Sequence, residues 1–155
     1  MFSQYINSPL GPVQILATAS GISAISFVTT RLTAEQPSAL TTLAAQQLSA
    51  YFAGTLNHFS LPLAARGTVF QQQVWQALCA IPFGQTCSYA DIARGISNVK
   101  AVRAVGAANG RNPIAIVVPC HRVIGANGTL TGYAGGLDKK DWLLKHEQRQ
   151  KALFG

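Results

Sequence analysis

Five apolar residues in a row, Ile114-Ala115-Ile116-Val117-Val118, run straight into Pro119-Cys120-His121-Arg122-Val123-Ile124-Gly125. A run of that kind has to be buried as a strand or a loop. The fold must therefore deliver a cysteine and an adjacent histidine to the mouth of a core element. A free thiol has a pKa of roughly 8.5, and the thiolate is the reactive form. A neighbouring imidazole can take the proton. The pair reads as a nucleophile, Cys120, with its base, His121. The other reading is a structural cysteine, since free cysteine is among the most buried residue types, and the dipeptide alone does not choose. Neighbours in an extended segment point to opposite faces, so Cys120 and His121 would need a turn or a bridging water to communicate.

The pattern around this run changes once along the chain. Residues 2–6, 12–19 and 22–28 read as short strands, with turns at Gly11-Pro12 and Ser20-Gly21. Residues 37–53 read as a helix, with Leu40, Leu43, Ala44, Leu48, Tyr51 and Phe52 apolar and Gly54 as its stop. From Arg66-Gly67 onward the pattern is helical. Thr68 with Gln71 forms a capping box, and Val69, Val74, Trp75 and Leu78 are expected to face inward before Pro82 ends the segment. Ser88 caps a short helix to about Arg94, and Asn98 caps another from Val99 to about Asn109, ended by Gly110. Joined by a tight connection containing Gly95, the two read as a helix-turn-helix. Asp138 starts a last helix to about Ala152, with Trp142, Leu143, Leu144 and Glu147 inward and His146 at the surface. The expected fold class is α+β. A small N-terminal sheet-plus-helix domain takes residues 1–65, and a mostly helical domain with the helix-turn-helix and an active-site loop takes residues 66–155.

Charge divides at the same place. Charged residues make up 11% of the chain, yet its net charge is +7. Residues 1–65 hold Arg31 against Glu35, which leaves eleven Lys and Arg against four Asp and Glu in the remainder. A basic half joined to a neutral one points to a polyanion partner on the basic side; a merely solvated basic surface is the other reading. Hydrophobic content of 48% excludes a disordered chain. The start Met1-Phe2-Ser3-Gln4-Tyr5 carries no secretion pattern, and no apolar run reaches the ~20 residues of a membrane span. Three cysteines do not suggest a disulfide framework, so a reducing, cytoplasmic setting is expected, with no membrane partner. Cys79 and Cys87 read as core or incidental thiols. Residues 1–65 contain no cysteine and only His58, too few ligands for a tetrahedral metal site there.

The heptad Pro119–Gly125 resembles the active-site sequence of the O6-alkylguanine-DNA alkyltransferases. The resemblance extends back through Ser88-Tyr89, Arg103-Ala104-Val105-Gly106 and Asn109-Gly110-Arg111-Asn112-Pro113. It runs forward through Asn127-Gly128, Gly132-Tyr133-Ala134-Gly135-Gly136 and Trp142-Leu143-Leu144-Lys145-His146-Glu147. All fall in the family's order and spacing over about residues 66 to 150, while the first 65 match loosely. The resemblance implies direct DNA repair, in which an alkyl group moves from O6 of guanine to Cys120, once and irreversibly, with no cofactor. It implies a catalytic set of Cys120, His121, Glu147, Asn112 and Tyr89. A water would link Cys120 to His121, Glu147 would orient the histidine, Asn112 would tie the helix-turn-helix to the active-site loop, and Tyr89 would protonate the departing guanine. Val123, Tyr133, Ala134 and Gly135 would form the base pocket; the family often has serine where this chain has Ala134, and the contact expected there is a backbone N–H. Arg103, Ala104 and Ala107 would meet double-stranded DNA in the minor groove, with Arg103 taking the place of a flipped base and the protein acting as a monomer; Lys100 and Arg111 read as phosphate contacts or as ordinary surface cations. Two rivals are a turnover cysteine hydrolase, which leaves the helix-turn-helix unexplained, and an alkyltransferase-like lesion binder, whose members lack the cysteine.

Overall fold

The computed structural model describes every residue except Leu32 and Gly155. The chain divides into two compact units, Met1–Arg66 with Pro113–Ala115, and Gly67–Asn112 with the chain from Ile116 onward.

The first unit is an antiparallel sheet of β1 (Phe2–Ser8), β2 (Gly11–Ala17) and β3 (Ile22–Phe27) in sequential order, covered by α1 (Ala39–Phe52). Alternation makes the core: Val13, Ile15 and Ala17 of β2 are fully buried, and Gln14 and Leu16 between them are not. Ala44, Leu48 and Tyr51, at helical spacing on α1, are buried with them. The first turn lies at Pro9-Leu10 rather than at Gly11-Pro12, because Ser8 pairs directly with Gly11. Gly11 has φ of 97°, which a residue without Cβ adopts freely. Ser38 caps α1 reciprocally with Thr41, so the helix begins two residues after Pro37.

Ile114, Ile116 and Val118 of the apolar run before the heptad are buried and Ala115 and Val117 half-buried, but in a loop. Only Ile114 pairs: Ile25 N–H donates to the Pro113 carbonyl at 2.9 Å, and Ala115 N–H donates to the Ile25 carbonyl at 3.0 Å. The chain then turns, and Ile116 sits buried at φ of 72°, a left-handed conformation rare for a β-branched side chain. Apolar content required burial here, and the backbone supplied it without a ladder.

The second unit holds α2 (Val69–Cys79), α3 (Tyr89–Gly95), α4 (Val102–Gly110) and α5 (Leu137–Phe154), with β4 (Cys87–Ser88) parallel to β5 (Val123–Ile124). The Thr68–Gln71 capping box is present. Val74, Trp75 and Leu78 face the core, but Val69 is 79% exposed, since at the first helical position it lies off that stripe. The indole of Trp75 donates to the Ala108 carbonyl at 2.9 Å and joins α2 to α4. Ser88 caps α3 with Asp91. α4 starts at Val102, not Val99: Asn98 instead accepts from Ala101 N–H and closes a turn, so Ala101 holds the cap position with no side-chain bond. Gly95 and Gly110 are the last residues of their helices rather than the breaks after them. Among the described residues no helix is long and apolar enough to cross a membrane.

Candidate active site

The chain delivers Cys120 on a single 3-10 turn, Cys120–Arg122, entered through Pro119 and left through β5. A turn replaces the extended segment, so adjacent side chains no longer diverge to opposite faces. All three residues of the turn are buried. Burial pushes the Cys120 thiol up from its ordinary value; a hydrogen bond from the Asn112 side chain and the charge of Lys140 act against that but do not reverse it. The resting sulfur is therefore a thiol. Asn112 also donates its amide to the Val118 carbonyl at 2.8 Å, clamping the loop that carries the cysteine.

His121 is fully buried, and its Nε2 lies 2.7 Å from Oε2 of Glu147. An ionised carboxylate only accepts hydrogen bonds, so Nε2 carries the hydrogen and Nδ1 keeps its lone pair. No protein atom among the described residues partners that buried Nδ1. Burial holds the imidazole below its ordinary pKa despite Glu147. The ring is neutral, with its hydrogen on Nε2 and the lone pair of Nδ1 left without a protein partner among the described residues. Burial would raise Glu147, but its hydrogen bonds and charge contacts with His121 and Arg122 overcome this and hold the carboxylate well below the usual range.

Arg122 escaped the sequence reading. It is buried, donates from Nε to Oε1 of Glu147 at 2.8 Å and from Nη2 to Oε2 at 3.1 Å, and gives Nη1 to the Ile81 carbonyl at 2.7 Å. Lys140 was missed as well; it is fully buried and donates Nζ to the Thr131 carbonyl at 3.1 Å. A signal for it existed. Lys140, Leu143 and Glu147 recur at three and four residues along α5, the spacing of one helix face. His146, expected at the surface, is buried and stacked on the Trp142 ring, with centroids 4.8 Å apart. Imidazole and indole share enough apolar surface to bury together.

The remaining expected residues fall into two groups. Tyr89 begins α3, its hydroxyl shares a hydrogen bond with Thr131 Oγ1, and its ring lies about a van der Waals contact from where a Cβ on Gly106 of α4 would sit. Burial first, then electrostatic interaction with Cys120 and Glu147, raises the Tyr133 phenol well above its ordinary value. Val123 is buried next to them; Ala134 and Gly135 lie in the loop before α5, Ala134 exposed. Arg103, Ala104 and Ala107 line the exposed side of α4, and Lys100 and Arg111 flank that helix, also exposed. The described residues contain no group of three or more His, Cys, Asp or Glu placed to hold a metal ion.

Comparison with known proteins bears on the whole chain. Residues 1–65 match the family described as 6-O-methylguanine DNA methyltransferase, ribonuclease-like domain, and residues 69–149 match its DNA binding domain. A methylated-DNA–protein-cysteine methyltransferase of Methanosarcina acetivorans is 50% identical over 153 residues, 95% of this chain and 98% of that one. One from Mycobacterium tuberculosis is 49% identical, over 92% of this chain and 90% of its own. A crystal structure of Mycobacterium tuberculosis OGT in complex with DNA superposes with a TM-score of 0.89 at 47% identity, over 97% of this chain and 94% of that one.

Proposed function

The chain belongs to the 6-O-methylguanine DNA methyltransferase family, and from that premise we propose how its own residues carry out the reaction. The activity is direct DNA repair, in which an alkyl group passes from O6 of guanine to a cysteine of the protein. Cys120 is the acceptor. The observation that carries this assignment is the buried sequence of thiol, neutral imidazole with an open Nδ1, and ionised Glu147 behind it. Nucleophile, base and orienter stand in the relation that activates cysteine and serine nucleophiles generally.

The proton of Cys120 passes to Nδ1 of His121, directly or through one water. The thiolate attacks the alkyl carbon; the sulfur–carbon bond forms as the carbon–O6 bond breaks, and the electron pair stays with guanine. Tyr89 gives the departing base a proton, which lowers the barrier to its leaving, and the proton held by His121 restores the balance. A thioether is a poor leaving group, so each molecule reacts once and no cofactor takes part. Val123, Tyr133, Ala134 and Gly135 form the pocket for the base, and Asn112 fixes the loop between that pocket and α4. Double-stranded DNA docks on Lys100, Arg103, Ala104, Ala107 and Arg111; the small residues of α4 let it lie in the minor groove, and Arg103 fills the stack when the alkylguanine flips out. Flipping costs a few kcal/mol, and a side chain in the gap offsets part of it. One monomer suffices. Residues 1–65 form one domain and residues 66–155 the working one.

Intact-protein mass spectrometry after incubation with O6-methylguanine DNA tests the assignment. The expected result is one added methyl group per molecule, on the peptide holding Cys120, and none in Cys120→Ala. Repair of several lesions per molecule, or methylation elsewhere in the chain, would overturn it.

A further inference from the structure

Glu147 is more crowded than an orienting carboxylate requires. His121 needs one oxygen, yet Arg122 takes both, at 2.8 and 3.1 Å, and the Gly84 N–H adds a fourth contact at 3.4 Å. Arg122 is itself pinned by the Ile81 carbonyl and by the Phe83 ring, 5.8 Å from its guanidinium carbon. A planar guanidinium held on both edges is a fixed charge.

That charge matters because of what surrounds His121. Glu147 and Lys140 face it from α5, and Arg122 lies beside it on its own turn. Tyr133 lies near Cys120 and Glu147, and Cys79 of α2 lies near Arg122. Glu147 is the single anion of this set at neutral pH. Left alone in a buried site it would draw a proton onto the imidazole, because an opposite charge at hydrogen-bond distance favours the charged form. A histidine already protonated cannot serve as the base for Cys120. The arrangement must orient the ring through a carboxylate without charging it.

We propose that Arg122 is a positioning residue for the alkyl transfer: by holding both oxygens of Glu147 it cancels that charge and keeps Nδ1 of His121 free of a proton until Cys120 supplies one. The inference rests on the reading of Cys120 as alkyl acceptor with His121 as its base. It assigns the fourth residue of the Pro-Cys-His-Arg sequence a part that neither spacing nor burial pattern disclosed.

The experiment follows Cys120 alkylation by free O6-benzylguanine in mass spectrometry, from pH 5 to 9, for wild type, R122M, E147Q and the double variant R122M/E147Q. Wild type should lose rate only below pH ~6.5, the ordinary histidine range. In R122M the unbalanced carboxylate should move the acid-side midpoint up by about one pH unit or more, so at pH values below both midpoints the rate falls roughly tenfold more than the rate at pH 9. The double variant removes both charges, a replacement buried ion pairs often tolerate, and its midpoint should return towards that of wild type. If R122M fails to fold, the same question is put in the other background: E147Q, with Arg122 uncompensated, should show a midpoint lower than the double variant. A uniform loss of rate with no movement of the midpoint in either pair would mean that Arg122 is merely structural and would overturn the proposal. A wild-type protein that takes no benzyl group on Cys120 would instead bring down the reading beneath it.

Discussion

The two units bury different things. In the first, the core is Tyr5, Ile6, Val13, Ile15, Ala17, Ile22 and Ile25 under Ala44, Leu48 and Tyr51, with Thr41 as its buried polar side chain among the described residues. In the second, His121, Arg122, Lys140, His146 and Glu147 lie inside with the apolar residues. An apolar core gains about 25 cal/mol per Å² buried. A buried ion costs several kcal/mol unless it is paired and hydrogen-bonded. The first unit buries mostly apolar side chains, whereas the second also buries charged and titratable ones. That interior holds the hydrogen-bonded cluster of His121, Arg122 and Glu147 on which the proposed chemistry rests.

The contrast should be plainest when one buried group is removed from each unit. Leu48→Ala leaves a cavity under the sheet and should cost about 2–5 kcal/mol, with no effect on the intrinsic reactivity of Cys120 in molecules that remain folded. Glu147→Ala strands Arg122 as an unpaired buried cation and should cost about 3–5 kcal/mol while also slowing alkylation severely. Denaturant unfolding of both variants, with the benzylguanine reaction run alongside, checks the pair. Equal loss of reaction in Leu48→Ala and Glu147→Ala would break the contrast.

Acid should separate the units next. The His121 pKa is lowered in the fold, so below about pH 6.5 the unfolded chain binds a proton that the folded chain refuses. Glu147 is lowered too, and near pH 4.5 the unfolded chain takes a second. Both signs agree: stability is full at neutral pH, begins to fall below about 6.5 and falls more steeply below about 4.5, at about 1.4 kcal/mol per pH unit for each proton. Trp75 and Trp142, the two tryptophans of the chain, both lie in the second unit, so their fluorescence follows that unit. It should report acid unfolding that His121→Gln reduces. A fluorescence transition that ignores His121 would remove the imidazole from the account.

How far these differences could be read beforehand varied with the kind of signal. Elements written by local rules were legible: β2 by alternation, α1 by its apolar stripe, α2 and α3 by capping boxes at Thr68 and Ser88. Local rules failed at Asn98, which has a capping side chain yet closes a turn, and did not choose between strand and loop for Ile114–Val118, which proves to be a loop. Both outcomes are set by tertiary packing, which propensity does not contain. The site followed the same division. Cys120, His121 and Glu147 were legible through motif and resemblance, and the structure brings His121 and Glu147 within 2.7 Å. Arg122 was not, because a cation is expected at the surface and only the position of α5 shows what it faces; Lys140 was signalled only by its place on the same helix face as Leu143 and Glu147.

The smallest expected effect concerns the exposed cations. Arg31 of the first unit is exposed, bonded to Asn7 at 2.8 Å and lying over the Tyr5 ring. Arg103 is exposed too but stands on α4 beside Ala104 and Ala107, within the part of the chain that carries all of the net charge. If DNA docks on α4, the two arginines differ in function while both are exposed. Arg103→Ala should slow repair of duplex DNA roughly tenfold to a hundredfold, since each ~1.4 kcal/mol of flipping cost left without compensation is a factor of ten. It should leave the reaction with free O6-benzylguanine, which needs no flipping, nearly unchanged. Arg31→Ala should alter neither. Duplex binding should weaken steeply with salt in the wild type, because phosphate contacts release counterions, and the slope should shrink with Lys100→Ala or Arg111→Ala but not with Arg31→Ala. Were Arg103→Ala to harm both reactions alike, the arginine would belong to the pocket rather than to the gap left by a flipped base. Were Arg31→Ala to weaken duplex binding as much, the DNA surface would extend over the first unit and the division of labour between the units would be wrong.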